Sequence, residues 1–355
     1  MNRPTASPPR SICILRLSAL GDATHVVPLV HTLRTGFPDA TITWVIGKLE
    51  AKLVGDLPGV RFIVVDKARG WRGYGDLRRA LAGERYDVLL QCQVALRANL
   101  LAQAIRADRR IGFDRARSKD LHGFRLTERI PASTRMHQLD AIGSFALPLG
   151  LTPAQPRWDI PVSAADHAVA AELLPGDQPT LLISPCSSHA RRNWRAERYA
   201  AVADHAARRH GLRIAICGGR SAAERAMGDA ILAAMREPAL DLIGRDTLKQ
   251  FLALCRRSIA LLTPDSGPMH MANAVGTPVL GLHAASNPAR TGPWSDRRWC
   301  VDRYDAAARR HRGIPADSLP WGTKLEYDGV MDLVETDAVI ERLDALLAHL
   351  GRSPD

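Results

Sequence analysis

Strand-length apolar runs alternate with helix-length amphipathic stretches along almost the whole of this 355-residue chain, and that rhythm leaves few folds open. In the first half the runs fall at 12–17, 41–46, 61–65 and 87–91, with helical spacing near 26–35, 48–54, 76–82 and 95–105. Unbroken apolar runs suit strands buried on both faces, and a βαβα order delivers them into a parallel sheet covered by helices. After Gly150 the rhythm pauses in a proline-containing stretch, 152–161, that reads as a linker. It restarts with runs at 180–184, 213–217, 241–243, 259–262 and 278–282, and helices near 196–209, 222–235, 248–255 and 269–275. The expected class is α/β, with two doubly wound domains in tandem and a cleft between them. The expected segments are a loose tail at 1–11, an N-terminal domain at 12–160, a C-terminal domain at 161–335 and a final stretch at 336–355. The last helix, 336–350, follows a long irregular stretch and is a candidate to pack back on the N-terminal domain.

Composition narrows the functional classes. Hydrophobic content of 46% with 24% charged residues belongs to a globular chain able to build two cores. No apolar stretch approaches the roughly 20 residues of a membrane span, and the first eleven residues lack the apolar centre of a secretory signal. Six cysteines lie scattered with no C-x-x-C pair, which favours neither a metal site nor disulfides and fits a reducing cytoplasm. The net charge of +11 is unevenly spread: ten basic residues stand between Arg97 and Arg135 against four acidic ones. Such a cluster suits a phosphorylated substrate, an anionic membrane surface or nucleic acid, and its bland alternative is ordinary solvated arginine. With aromatics at 5% and no nucleic-acid module signature, nucleic acid is the weakest of these.

Three loops carry candidate chemistry. Ser18-Ala19-Leu20-Gly21-Asp22 joins the first apolar run to the first helix, so Asp22 lies at the carboxyl edge of a sheet, either as a helix cap or as a working carboxylate. Thr263-Pro264-Asp265-Ser266-Gly267-Pro268-Met269-His270 is a second strand-to-helix turn. Its N–H groups at Ser266, Gly267 and Met269 offer an anion site, or else Asp265 and Ser266 simply cap the helix. Between them, Ser187-Ser188-His189-Ala190-Arg191-Arg192 sets hydroxyls and guanidinium groups beside a strand end, a combination suited to phosphate oxygens. Neither a Walker A sequence nor a full G-x-G-x-x-G occurs, and Gly218-Gly219 is only a strand-ending pair, so ATPase and dinucleotide readings lose support. His25 and His283, near strand ends, read as polar neighbours rather than ligands.

Together these loops resemble glycosyltransferase family 9, the bacterial lipopolysaccharide heptosyltransferases. The resemblance rests on Leu15-Arg16-Leu17-Ser18-Ala19-Leu20-Gly21-Asp22, the 187–194 loop, Asp265-Ser266-Gly267-Pro268-Met269-His270 and Ala274-Val275-Gly276-Thr277-Pro278-Val279. Gly112-Phe113-Asp114-Arg115 and Glu326-Tyr327-Asp328-Gly329-Val330-Met331 look like family features as well, and the match runs from residue 12 to about 347. It implies the GT-B fold and inverting transfer from ADP-L-glycero-D-manno-heptose to a lipid A–Kdo or heptosylated inner-core acceptor at the cytoplasmic membrane surface. It also implies Asp22 as the base, with Ser187, Ser188 and Arg192 on the donor phosphates, although the family often has Lys where Arg192 stands. Asp265, Ser266, Gly267, Met269 and His270 match the pyrophosphate and donor-sugar site, and Glu224 and Asp246 are looser matches near the adenosine. Arg115, Arg117 and Lys119, in the basic cluster, are the candidate acceptor contacts, and no metal or other cofactor is expected. The alternatives are a GT-B transferase of another sugar or onto a protein, and a catalytically silent nucleotide-sugar-binding protein.

Overall fold

The computed structural model describes residues 7–352, and the chain divides into two compact units, Met1–Pro161 and Val162–Asp355. Residues 1–6 of the expected tail lie outside the described residues, and Ser11 at its other end already belongs to the first strand.

The first unit holds β1 (Ser11–Leu15), β2 (Thr41–Gly47), β3 (Val60–Val65), β4 (Tyr86–Gln91), β5 (Ala107–Gly112) and β6 (Glu128–Arg129). They form one sheet in the order β3-β2-β1-β4-β5-β6, and every pairing is parallel. The connections carry α1 (Leu20–Gly36), α2 (Lys48–Val54), α3 (Trp71–Ala80), α4 (Leu96–Ala102) and α5 (Gln138–Gly143). Cys13, Leu15, Val45 and Leu89 from the central strands pack on Leu77, Ala98 and Leu101 from the covering helices. β5 is absent from the apolar-run reading because Arg109 and Arg110 interrupt it. The structure shows why a central strand tolerates them. Arg110 is buried and donates to the Ile105 and Ala102 carbonyls at 2.7 and 2.6 Å, closing the end of α4, while Arg109 pairs with Glu128 on β6.

The second unit repeats the plan with α6 (Ala164–Leu173), β7 (Thr180–Ile183), α7 (Ala196–His210), β8 (Arg213–Gly218), α8 (Ala222–Ala234), β9 (Ala239–Ile243) and α9 (Leu248–Arg256). It continues through β10 (Ala260–Pro264), α10 (Gly267–Ala274), β11 (Val279–His283), α11 (Pro288–Thr291), β12 (Val301–Asp302), α12 (Tyr304–Arg312) and α13 (Thr336–His349). Its order, β12-β11-β10-β7-β8-β9, is again all parallel and is the same winding as the first sheet. The final helix, a candidate to pack back on the N-terminal domain, places Val339, Leu343, Leu346 and Leu347 in the core of the second unit with Tyr199 and Ala203 of α7. Asp344 fastens the same two helices by accepting from His205 and His210 Nε2 at 2.8 and 2.7 Å. Among the described residues no helix is long and apolar enough to cross a membrane.

Candidate active site

In a doubly wound sheet the strand order reverses at one point, and the loops leaving the carboxyl ends of the two strands there splay apart to open a crevice. In the first unit that point lies between β1 and β4. Asp22 belongs to the loop after β1, in the first turn of α1, which begins six residues earlier than the apolar spacing suggests. Its Oδ2 accepts from the Ala19 N–H at 3.1 Å and pairs with Arg16 Nη2 at 2.5 Å, while Oδ1 faces His25 Nδ1 at 4.0 Å. Asp22 therefore does hold the helix start, as the bland reading requires, but with one oxygen only, and its side chain is 28% exposed. Arg16 is buried and also donates to the Cys92 carbonyl beyond β4, so it ties the carboxylate to the far side of the switch point. Gln93 completes the frame, accepting from the Leu17 N–H at 2.7 Å and donating to Ser18 Oγ at 3.1 Å.

In the second unit the reversal lies between β7 and β10, and two predicted loops flank it. Asp265 follows β10 and Arg192 stands in the loop after β7; Arg192 Nη1 is 3.7 Å from Asp265 Oδ2. Lys324 Nζ donates to the same oxygen at 3.2 Å, and Thr291 Oγ1 at 3.3 Å. Burial works to raise the Asp265 carboxyl, but Lys324 foremost, with His283 and His270, outweighs it and holds the group well below the usual carboxylate range. His283 is itself buried against Ser286 behind this carboxylate, a polar neighbour as expected. Arg192 is aimed by Glu326, whose Oε1 accepts from Nε at 2.8 Å and Nη2 at 2.5 Å. Ser187 closes its own turn, accepting from the His189 N–H, and its N–H donates to Asn193 Oδ1 at 2.7 Å; Ser188 is exposed. Trp194 anchors the loop by donating to the Val334 carbonyl at 2.8 Å. Ser266 is the N-cap residue of α10 with Pro268 in the first turn, and its hydroxyl meets Thr263 Oγ1 rather than an N–H of the helix. The N–H groups at Gly267 and Met269 thus begin the helix beside Asp265, with His270 one turn on.

Residues 74–318 match the sequence profile of glycosyltransferase family 9 (heptosyltransferase), which is more than half of the chain. The chain belongs to glycosyltransferase family 9. It is 36% identical over 338 residues to the lipopolysaccharide core heptosyltransferase OpsX of Haemophilus influenzae, covering 95% of this chain and 97% of that one. Among solved structures, a family 9 glycosyltransferase from Veillonella parvula matches with a TM-score of 0.78 at 23% identity, over 96% of this chain and 97% of that one. Escherichia coli heptosyltransferase WaaC with ADP matches at 0.69 and 16% identity, over 96% and 98%. The fold is GT-B, as the resemblance implied.

Other predicted positions of this family 9 chain separate into distinct settings. Ser221 caps the start of α8 by accepting from the Glu224 N–H at 3.2 Å, and the Glu224 carboxylate accepts in return from the Ser221 hydroxyl at 2.6 Å and from the Gly219 N–H at 2.7 Å. A Cβ on Gly219, just beyond the end of β8, would lie 2.8 Å from that carboxylate, so glycine there leaves it room. Asp246, half-buried beyond β9, is pushed up to about 7 by burial, with the Glu224 charge adding to it. Of the basic cluster, Arg115 and Lys119 are exposed, whereas Arg117 is held by Asp114 at 2.6 Å. Lys324 and Glu326 are the functional candidates that residue-level reading missed. They lie 59 and 134 positions in sequence from the partners they serve, and only Glu326 fell within a family-like stretch.

Proposed function

We propose that this chain is an inverting heptosyltransferase that moves heptose from ADP-L-glycero-D-manno-heptose to a lipopolysaccharide inner-core acceptor, lipid A–Kdo or a heptosylated core. The observation that carries this reading is the carboxylate at the first switch point, held by one oxygen and open at the other, in a chain similar to a named core heptosyltransferase. Asp22 accepts the proton of the attacking acceptor hydroxyl as the bond to the anomeric carbon forms and the bond to ADP breaks. Aspartate is a weak base, so the proton moves late, when the hydroxyl has acidified through its new bond. Arg16 fixes the carboxylate without occupying Oδ1.

On the donor side, Arg192, Lys324 and the α10 N–H groups supply the positive charge for the departing diphosphate, with the Ser187 and Ser188 loop beside them. This arrangement calls for no metal bridge. Asp265 serves as the fixed anion that keeps the two cations apart and poised, and Glu224 and Asp246 line the nucleoside side. Arg115 and Lys119 meet the anionic acceptor at the inner face of the cytoplasmic membrane, with Arg117 as a strut. The deciding experiment is a donor screen on a Kdo-containing lipid acceptor. ADP-heptose is expected to exceed ADP-glucose and UDP- or GDP-sugars by about 10² or more in kcat/KM, as for a site that hydrogen-bonds the distinguishing hydroxyls. Equal turnover with another sugar would replace the donor assignment, and binding without turnover would make the chain a silent sugar-nucleotide binder.

A further inference from the structure

The two most exposed large hydrophobic side chains among the described residues are Leu121 at 67% and Phe124 at 61%, and they stand three positions apart in one loop. That loop, 114–127, leaves the carboxyl end of β5, the same sheet edge that carries Asp22. Chance exposure would leave such a loop loose, yet this one is pinned from beneath. His122 between the two apolar residues is 1% exposed; its Nε2 accepts from the Phe113 N–H at 2.9 Å and its Nδ1 lies 3.0 Å from Asn99 Oδ1. Asn99 in turn donates to the Asp120 carbonyl at 2.6 Å. A Cβ on Gly112 would come within 2.8 Å of His122 Nε2, so the strand end leaves room for the ring. Burial, reinforced by Arg129, lowers His122 to about 4, so the pin is neutral at ordinary pH. Around Leu121 and Phe124 the exposed charged groups of the loop are Arg115, Lys119 and Arg125, against Asp120 alone.

We propose that Leu121 and Phe124 form an apolar wedge that enters the lipid surface from which the acceptor is drawn, with Arg115, Lys119 and Arg125 engaging anionic headgroups around it. A loop held from beneath and presenting bare apolar side chains within a basic rim has the make-up of an interfacial anchor. Leu96, another exposed large hydrophobic residue at 50%, stands at the start of α4, the helix that also carries the Asn99 that holds the loop. The wedge rests on the reading of the acceptor as lipid-linked, and it adds the means by which Asp22 is brought to that lipid.

The test is flotation of the full chain with vesicles of phosphatidylglycerol and phosphatidylethanolamine, against vesicles of phosphatidylcholine alone. Leu121→Ser/Phe124→Ser is expected to lower partition into the anionic vesicles about tenfold or more, the scale set by withdrawing two large side chains from an apolar phase. Leu49→Ser, another exposed leucine outside the loop, is expected to leave it unchanged. Fluorescence of Phe124→Trp should be quenched by lipids brominated on the acyl chain. Turnover on a soluble, truncated acceptor should be unchanged in the double serine variant. Undiminished partition, absence of quenching, or lost turnover on the soluble acceptor would each overturn the wedge, the last by placing the pair in the sugar site. If wild-type chain inserts and is quenched but transfers heptose to no acceptor, the wedge stands and the proposed reaction falls.

Discussion

The two sheets of this chain are wound identically, yet they place their key aspartates on opposite sides of the switch point. In the first unit Asp22 follows the first strand, and the loop of the fourth strand serves it through Cys92 and Gln93. In the second unit Asp265 follows the fourth strand, and the loop of the first strand brings Arg192 to it. Their surroundings differ as sharply. Asp22 is 28% exposed, with Arg16 on one oxygen and His25 4.0 Å from the other, whereas Asp265 is 8% exposed and meets Lys324, Arg192 and Thr291 on one oxygen. A partly exposed carboxylate with a free oxygen can exchange a proton with a bound hydroxyl. One buried under cations and held far below the usual range cannot, and it acts as a fixed charge. One fold thus yields a candidate base and a candidate electrostatic frame from the same residue type.

The largest effect expected from this contrast is at Asp22. Asp22→Asn retains an oxygen for the Ala19 N–H and the Arg16 guanidinium, so the helix start survives, but it cannot take up a proton. Turnover should fall by about 10² or more with donor binding within a few-fold of wild type, the mark of a lost general base. Near-normal turnover in the Asn variant, with a defect only in Asp22→Ala, would reduce Asp22 to a cap.

On the other edge the measurement is affinity. Arg192→Ala should weaken ADP binding by about 1.5–3 kcal/mol, the worth of a charge-assisted hydrogen bond, and Arg192→Lys should recover part of it. Lys324→Met should have a smaller effect, about three- to tenfold on ADP and less on AMP, because much of its charge is already met by Asp265. Calorimetry with ADP, AMP and adenosine checks both. Unchanged ADP affinity in Arg192→Ala would remove the phosphate role from this loop.

How much of this was legible in the sequence follows from the range of the forces involved. Apolar runs report burial directly, so β1, β2, β4, β7, β8 and β11 are readable to within a residue or two. β5 is not, since Arg109 and Arg110 disguise it and their partners come from α4 and β6. Strand-to-helix loops are local, which is why Asp22, Arg192 and Asp265 could be singled out from residue types alone. Lys324 could not. It lies in an irregular stretch with no period, where buried Leu325 bonds to the Ala285 carbonyl and leaves its neighbours Lys324 and Glu326 to meet Asp265 and Arg192. The single basic cluster suggested by ten basic residues between Arg97 and Arg135 also thins in three dimensions, because Arg109, Arg110, Arg117 and Arg129 are engaged with the unit's own backbone and carboxylates.

The smallest expected effect is at Asp246, beyond β9, and depends on pH. Burial raises the Asp246 carboxyl to about 7, with Glu224 adding to the shift, so the folded state holds this proton more tightly than the unfolded chain does. Below about pH 4 the group is protonated in both states and costs nothing. Between about 4 and 7 the unfolded chain ionises first, and stability falls as pH rises. Above about 7 the whole penalty is present. Asp246→Asn has no charge to desolvate, so it should unfold at a higher temperature than wild type at pH 8, and the gap should close toward pH 4. For a half-buried group the penalty is about 1 kcal/mol after solvent screening, or ~2–4 °C in a unit of this size. Thermal unfolding of both proteins at the two pH values measures it. A gap of equal size at pH 4 and pH 8 would mean that the substitution acts through packing, and that Asp246 ionises as freely folded as unfolded.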